Sequence, residues 1–184
     1  MNAGLVPLVA CAVFAGSAAC AESRPPTLME AHALTHVHDG TVQGCGLRLT
    51  GGEPGKQASS WFDVSFNVFR RGLGLAQSIA YEIRPSEYDG ESRPAKVPVQ
   101  STWLKVSDGA TRLGENRERR DTLIYTLVMD DVLALFEAVA NGDPVTLGIK
   151  RWGQRVDAVY TGAARLSSDS RDRMSTCLAD LAVG

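Results

Sequence analysis

The strongest constraint on the fold is a strict alternation of apolar and polar side chains over residues 61–69. The apolar positions are Phe62, Val64, Phe66 and Val68, and the polar ones between them are Asp63, Ser65 and Asn67. Successive side chains of a β-strand point to opposite faces, so this spacing predicts a strand with one buried face. Turn residues at 70–74 and a second alternating run predict that the two strands form an antiparallel hairpin. The apolar positions of the second run are Leu75, Ile79, Tyr81 and Ile83.

The rest of the chain adds more strands and two helices. Strand-like sequence occupies residues 44–50, 97–106, 122–129, 144–152 and 155–161. In two other segments the apolar residues recur about every 3.6 positions. This spacing predicts a short helix near 130–141 that stops at Gly142, and a C-terminal helix near 169–182. About seven strands with two helices predict a mainly β fold with attached helices (α+β), as an antiparallel sheet or a β-sandwich.

The N-terminus has the pattern of an export signal. An uncharged apolar run from Leu5 to Phe14 leads to the small-residue segment Ala19-Cys20-Ala21, and charge follows at once. This pattern predicts a cleaved signal peptide at residues 1–21, followed by an N-terminal arm at 22–40 and a single β-rich domain at 41–184. The expected location is periplasmic or secreted. Two alternatives are a lipoprotein acylated at Cys20 and an uncleaved membrane anchor, for which the run is short.

Charge and cysteine content narrow the function classes. The chain carries 21 acidic and 19 basic residues, a net charge of −2, which argues against a nucleic-acid partner because such a partner needs a clustered basic surface. Cleavage leaves two of the four cysteines, Cys45 and Cys177. In an oxidising compartment these two are expected to form a structural disulfide, and their spacing gives no redox motif. Two separate buried thiols are the alternative.

All three histidines lie within seven residues, next to an acidic residue. The candidate metal ligands are His32, His36, His38 and Asp39. If Thr27 starts a helix, His32 and His36 share a face; if the segment is a strand, His36 and His38 do. Two imidazoles and a carboxylate suit Zn²⁺ or Cu²⁺. The competing interpretation is a solvated arm whose histidines bind nothing.

Catalytic signatures are absent from the sequence. No Gly-x-Ser-x-Gly segment presents a nucleophile, and the glycine pairs at 51–52 and 72–74 precede no helix that would bind phosphate. The adjacent Asp130 and Asp131 fit the start of a helix better than an acid/base pair. The sequence therefore favours a non-enzymatic protein, with no cofactor. An enzyme whose site is dispersed over several strands is the alternative.

The C-terminal third resembles a known family. An apolar strand from residue 122, the Asp130-Asp131 pair, a short helix ending at Gly142, a hairpin over 145–161 and a last amphipathic segment to 182 follow one another. This order is similar to the C-terminal part of the invasion-associated locus B family, small envelope proteins of Gram-negative bacteria. The resemblance is one of pattern and implies a secreted, non-enzymatic protein of β-rich fold.

These observations predict an extracytoplasmic binding or structural protein that contacts another envelope or secreted protein. Its mature chain is expected to have no transmembrane span. Such a protein should expose an apolar patch, whereas an enzyme should gather charged side chains from separate strands in a deep pocket. A metal-binding protein that uses the histidine cluster is the other alternative.

Overall fold

The computed structural model of the protein describes residues 27–54, 58–85, 92–106 and 109–183. Within these ranges the chain forms ten β-strands, two α-helices and one short 3-10 turn. The strands are β1 Leu28–His38, β2 Thr41–Glu53, β3 Ser59–Phe69, β4 Leu73–Pro85, β5 Ser92–Val97, β6 Val99–Val106, β7 Gly109–Glu115, β8 Thr122–Leu127, β9 Pro144–Arg151 and β10 Ala158–Leu166. The helices are α1 Met129–Asn141 and α2 Ser168–Val183, and the 3-10 turn Arg70–Gly72 joins β3 to β4.

All ten strands belong to one mixed sheet. Its order is β5, β4, β3, β2, β1, β10, β9, β6, β7, and β8 pairs with β4 outside this path. The edge of β4 is shared, because β8 pairs with its first half and β5 with its second half. Neighbours are antiparallel except β1 and β10, which are parallel. The sheet curls until β7 approaches β8. The predicted α+β class, mainly antiparallel with two attached helices, is confirmed.

The described residues contain three strands more than the seven predicted. They are β1, which lies in the predicted arm, and β5 and β7, which lie outside the predicted strands except at Val97. β5 and β7 lie at the two ends of the sheet order, where a strand needs a ladder on one side only. Both strands are extended by backbone pairing, β5 with β4 and β7 with β6.

The N-terminal arm predicted at 22–40 is corrected over the residues of β1. Leu28–His38 lies between β2 and β10 in the sheet order: it pairs with β2 along its whole length and with β10 over residues 29–31. Met29 and Ala31 point into the core and are 1% and 3% exposed. The domain therefore includes β1, and its boundary cannot be placed at residue 41. The predicted signal peptide at 1–21 lies outside the described residues.

The core is formed by the inward faces of the strands together with one stripe of each helix. The buried stripe of α1 includes Val132, Leu135, Phe136 and Val139, as the sequence spacing predicts. Gly142 ends α1 in the left-handed conformation, with φ 77°, and its N–H bonds to carbonyls of the last turn. α2 buries less, with Met174 and Cys177 as its buried residues. Among the described residues, no helix has both the length and the apolarity needed to cross a bilayer.

The predicted disulfide is present. Cys45 of β2 and Cys177 of α2 are bonded, with their Cα atoms 5.8 Å apart, and both residues are almost completely buried. The bond joins positions 132 residues apart and fixes the C-terminal helix to the central strands. Because α2 otherwise buries little, this covalent link is a main contribution to its docking.

Candidate functional site

The four predicted metal ligands lie on β1 and in the turn that follows it. His32 and His36 occupy alternate outward positions of the strand, and a β-bulge between His36 and Val37 changes the register before His38. His32 is near the carboxylate of Glu30 at 3.7 Å, and His38 is near that of Asp39 at 3.4 Å. Within the described part of the chain, no three His, Cys, Asp or Glu side chains gather as a metal would require. The four residues do not form a common site.

His36 instead takes part in a local contact on the outer face of the sheet. Its Nε2 is 2.7 Å from Oδ1 of Asn67 on β3, and its ring lies 5.1 Å from that of Phe69. Asn67 is 5% exposed, and its amide lies directly over Gly46 of β2. A buried amide needs a hydrogen-bond partner. The contact gives His36 a structural role.

One group of polar side chains does converge from separate strands. Ser60 of β3 and Tyr160 of β10 have their hydroxyl oxygens 2.5 Å apart, and Nη2 of Arg151 at the end of β9 donates to Ser60. Tyr160 is 1% exposed and its ring stacks on Phe62 with centroids 4.7 Å apart. The group lacks an imidazole, and the most buried hydroxyl is held by core packing. We interpret it as a hydrogen-bond network at one end of the core.

β4 carries its large apolar side chains on the outer face of the sheet. The inward positions are small and completely buried: Ala76, Ser78 and Ala80 are all 0% exposed. The outward positions alternate with them and remain partly or largely exposed. They are Leu73, Leu75, Ile79, Tyr81 and Ile83, with Gln77 as the one polar interruption. A strand is confirmed here. Its small side chains point into the core, and its large apolar side chains point outward.

The interior next to β4 is filled from the neighbouring strand. Tyr125 of β8 stands directly opposite Ala76, and its ring lies close over Gly114 of β7. Burial raises the pKa of the Tyr125 phenol, whose hydroxyl oxygen is 3.4 Å from that of Ser78. Because an aromatic ring already occupies this space, large side chains on the inward face of β4 would not fit. This packing explains why β4 turns them outward.

Two side chains from the neighbouring strands extend the apolar row. Trp61 of β3 is directly opposite Tyr81, and Ile124 of β8 is opposite Gln77. They are 39% and 61% exposed, and Leu73 is 51% exposed. We call this surface the outer stripe. It consists of Leu73, Leu75, Ile79, Tyr81 and Ile83 of β4, Trp61 of β3 and Ile124 of β8.

A bidentate ion pair borders the outer stripe. Arg48 of β2 donates from Nε and Nη2 to the two carboxylate oxygens of Asp63, at 2.8 and 2.5 Å. Asp63 is directly opposite Ile79, and its carboxylate raises the pKa of the Arg48 guanidinium. An apolar centre with a charged margin is the arrangement typical of protein interfaces.

The fold and its exposed face define an α+β domain that is built on one curled mixed sheet and carries an apolar outer surface. Comparison of the chain with protein-family models, with curated proteins and with solved structures gives no match. The resemblance of residues 122–182 to the invasion-associated locus B family stays a prediction.

Proposed function

We propose that the protein is a non-enzymatic extracytoplasmic binding protein that contacts another envelope or secreted protein through the outer stripe. The observation that carries this proposal is the orientation of β4, which buries its small side chains and leaves its large apolar ones partly exposed, with Leu73 the most exposed at 51%. Soluble domains seldom leave a contiguous apolar face uncovered unless it binds something.

The composition of the outer stripe favours a protein as the partner. Burial of a fully exposed large apolar side chain contributes about 1.5–3 kcal/mol. Leu73 and Ile124 are 51% and 61% exposed, so a partner that covers them gains a fraction of this amount at each position. Trp61 and Tyr81 are the aromatic types that are enriched at protein interfaces. The Arg48–Asp63 pair beside them gives a partner a charged margin that can define its orientation.

An extracytoplasmic location is part of the same proposal. The supporting features are the export pattern at residues 1–21 and the Cys45–Cys177 bond, which is compatible with an oxidising compartment. A lipid on Cys20 would add a membrane anchor and would leave the outer stripe available for the same partner.

Site-specific photo-crosslinking in the cells that export the protein tests this function. A benzophenone amino acid at position 124 should give one discrete adduct with a second protein, because Ile124 lies within the outer stripe. The same amino acid at Val156, an exposed apolar residue on the loop between β9 and β10, should not give this adduct. Ile79→Lys should reduce the adduct at position 124 at least tenfold, since a charged side chain at the centre opposes burial.

Three results would contradict the proposal. Equal adducts from positions 124 and 156 would mean nonspecific capture, and an adduct that Ile79→Lys leaves unchanged would place the contact elsewhere. An adduct of twice the mass of the chain would identify a second copy as the occupant. Circular dichroism of the variant confirms that the sheet is retained.

A further inference from the structure

A cavity of about 500 Å³ lies where the 3-10 turn between β3 and β4 meets the end of α2. Its lining residues are Gln43, Phe69, Arg70, Arg71 and Leu181. The volume is within the range of small-molecule sites. Two guanidinium groups and a side-chain amide supply hydrogen-bond donors, and Phe69 and Leu181 supply apolar surface.

The cavity is lined by two arginines, and no carboxylate among the described residues forms an ion pair with either of them. The ion pairs that join described residues use other cations, and Arg70 and Arg71 take part in none of them. Both guanidinium groups stay charged at any physiological pH. Two like charges in one concave surface repel each other and attract an anion.

Arg70 is held in place by main-chain carbonyl groups. Its Nε donates to the carbonyl oxygen of Val42 at 2.6 Å, and its Nη2 lies 3.5 Å from that of Asp180 on α2. The bond from Nε restrains the guanidinium, and Nη1 makes no hydrogen bond to a described residue. A planar guanidinium fixed in this way is suited to bind a carboxylate or a phosphate with little loss of side-chain freedom.

Arg71 occupies a backbone conformation that does not favour arginine. Its φ is 70° and its ψ is 18°, in the left-handed region, and Gly72 follows with φ 74°. Glycine or asparagine adopts this conformation at less cost. The local turn therefore does not explain an arginine at position 71, whereas its place in the wall of the cavity does.

The apolar part of the cavity indicates the rest of the ligand. The ring of Phe69 lies next to that of His36, with centroids 5.1 Å apart and an interplanar angle of 37°. Aromatic rings pair with other flat rings at such distances. We infer that the cavity binds a small organic anion, in which a carboxylate or phosphate group meets the two arginines and a flat apolar body lies against Phe69. The cavity adjoins the outer stripe, because Phe69 is paired with Leu73. The two sites share no residue, and neither proposal rests on the other.

Calorimetric titration of the exported protein with phenyl phosphate tests the inference at constant ionic strength. We expect saturable one-to-one binding, at least fivefold tighter than that of inorganic phosphate, which lacks the ring. Benzamidine, a cation of similar shape, should not bind. Arg71→Gly should weaken phenyl phosphate binding at least fivefold without lowering the Tm, because glycine suits the turn. Arg155→Gly, at an exposed arginine between β9 and β10, should change the affinity less than twofold.

The inference is overturned if phenyl phosphate does not bind the wild-type protein, or if benzamidine binds equally well. It is also overturned if Arg71→Gly and Arg155→Gly weaken binding equally, since the effect would then come from net charge alone. Phe69→Leu tests the contact of the ligand ring independently of the anionic group. It should weaken binding of phenyl phosphate and leave that of inorganic phosphate unchanged. Equal loss for both ligands would contradict the assignment of the ring to Phe69.

Discussion

Replacing both Cys45 and Cys177 with alanine should lower the free energy of unfolding by as much as about 5 kcal/mol, because the bond closes a very long loop. The two residues are 132 positions apart, and the entropy lost by the unfolded chain grows with that separation. Urea denaturation of the wild type and of the double variant measures the difference. Hydrogen exchange should rise most in α2, in which Met174 and Cys177 are the buried residues.

The cysteine content gives this experiment its own control. If the signal peptide is removed, Cys11 and Cys20 leave with it, so that a reductant acts on a single bond. Reductant should destabilise the wild-type protein and leave the double variant unchanged. A loss smaller than about 1 kcal/mol on removal of the bond would mean that the unfolded chain is already compact, since residual structure reduces the entropic effect.

For β4, the sequence pattern predicts the strand but not which of its two faces is buried. Alternation identifies the strand, but it does not say which parity faces inward. The hairpin register decides this, because Phe69 pairs with Leu73 across the three-residue turn. Phe66 is then opposite Ala76, so the apolar face of β3 and the small face of β4 point to the same side. The turn length therefore contains the information needed to predict from the sequence that the large apolar residues of β4 face outward.

Other differences arise from pairing between distant parts of the chain. The sequence predicts an arm over β1 because the apolar and polar residues there do not alternate regularly. Its parallel partner β10 lies more than 100 residues away in the sequence. The histidines also show that closeness in sequence does not determine which side chains meet in space. His32, His36 and His38 are close in the sequence. In the structure, a bulge follows His36, and His36 contacts Asn67 rather than the other two histidines. By contrast, α1 and α2 were predicted within two residues at each end, because helix spacing and termination are local properties.

Gly148→Ala should lower the free energy of unfolding by about 2–4 kcal/mol, since it adds a methyl group where Trp103 covers the strand. Trp103 of β6 is directly opposite Gly148 of β9, and a Cβ at position 148 would lie inside contact distance of three indole atoms. The indole cannot move without cost, because its Nε1 donates to Oδ2 of Asp157 at 2.6 Å. Displacement would break that hydrogen bond and disturb the pairing of the two strands.

A double-mutant cycle measured by urea denaturation separates this clash from a general effect of alanine in a strand. Alanine has the higher intrinsic strand stability of the two residues, so without the indole the substitution should be neutral or favourable. In a Trp103→Leu background, Gly148→Ala should therefore cost less than about 1 kcal/mol, giving a coupling energy of at least about 1 kcal/mol between the two positions. An equal cost in both backgrounds would show that the indole is not the obstacle. The glycine would then be needed for the close approach of the backbones of β6 and β9.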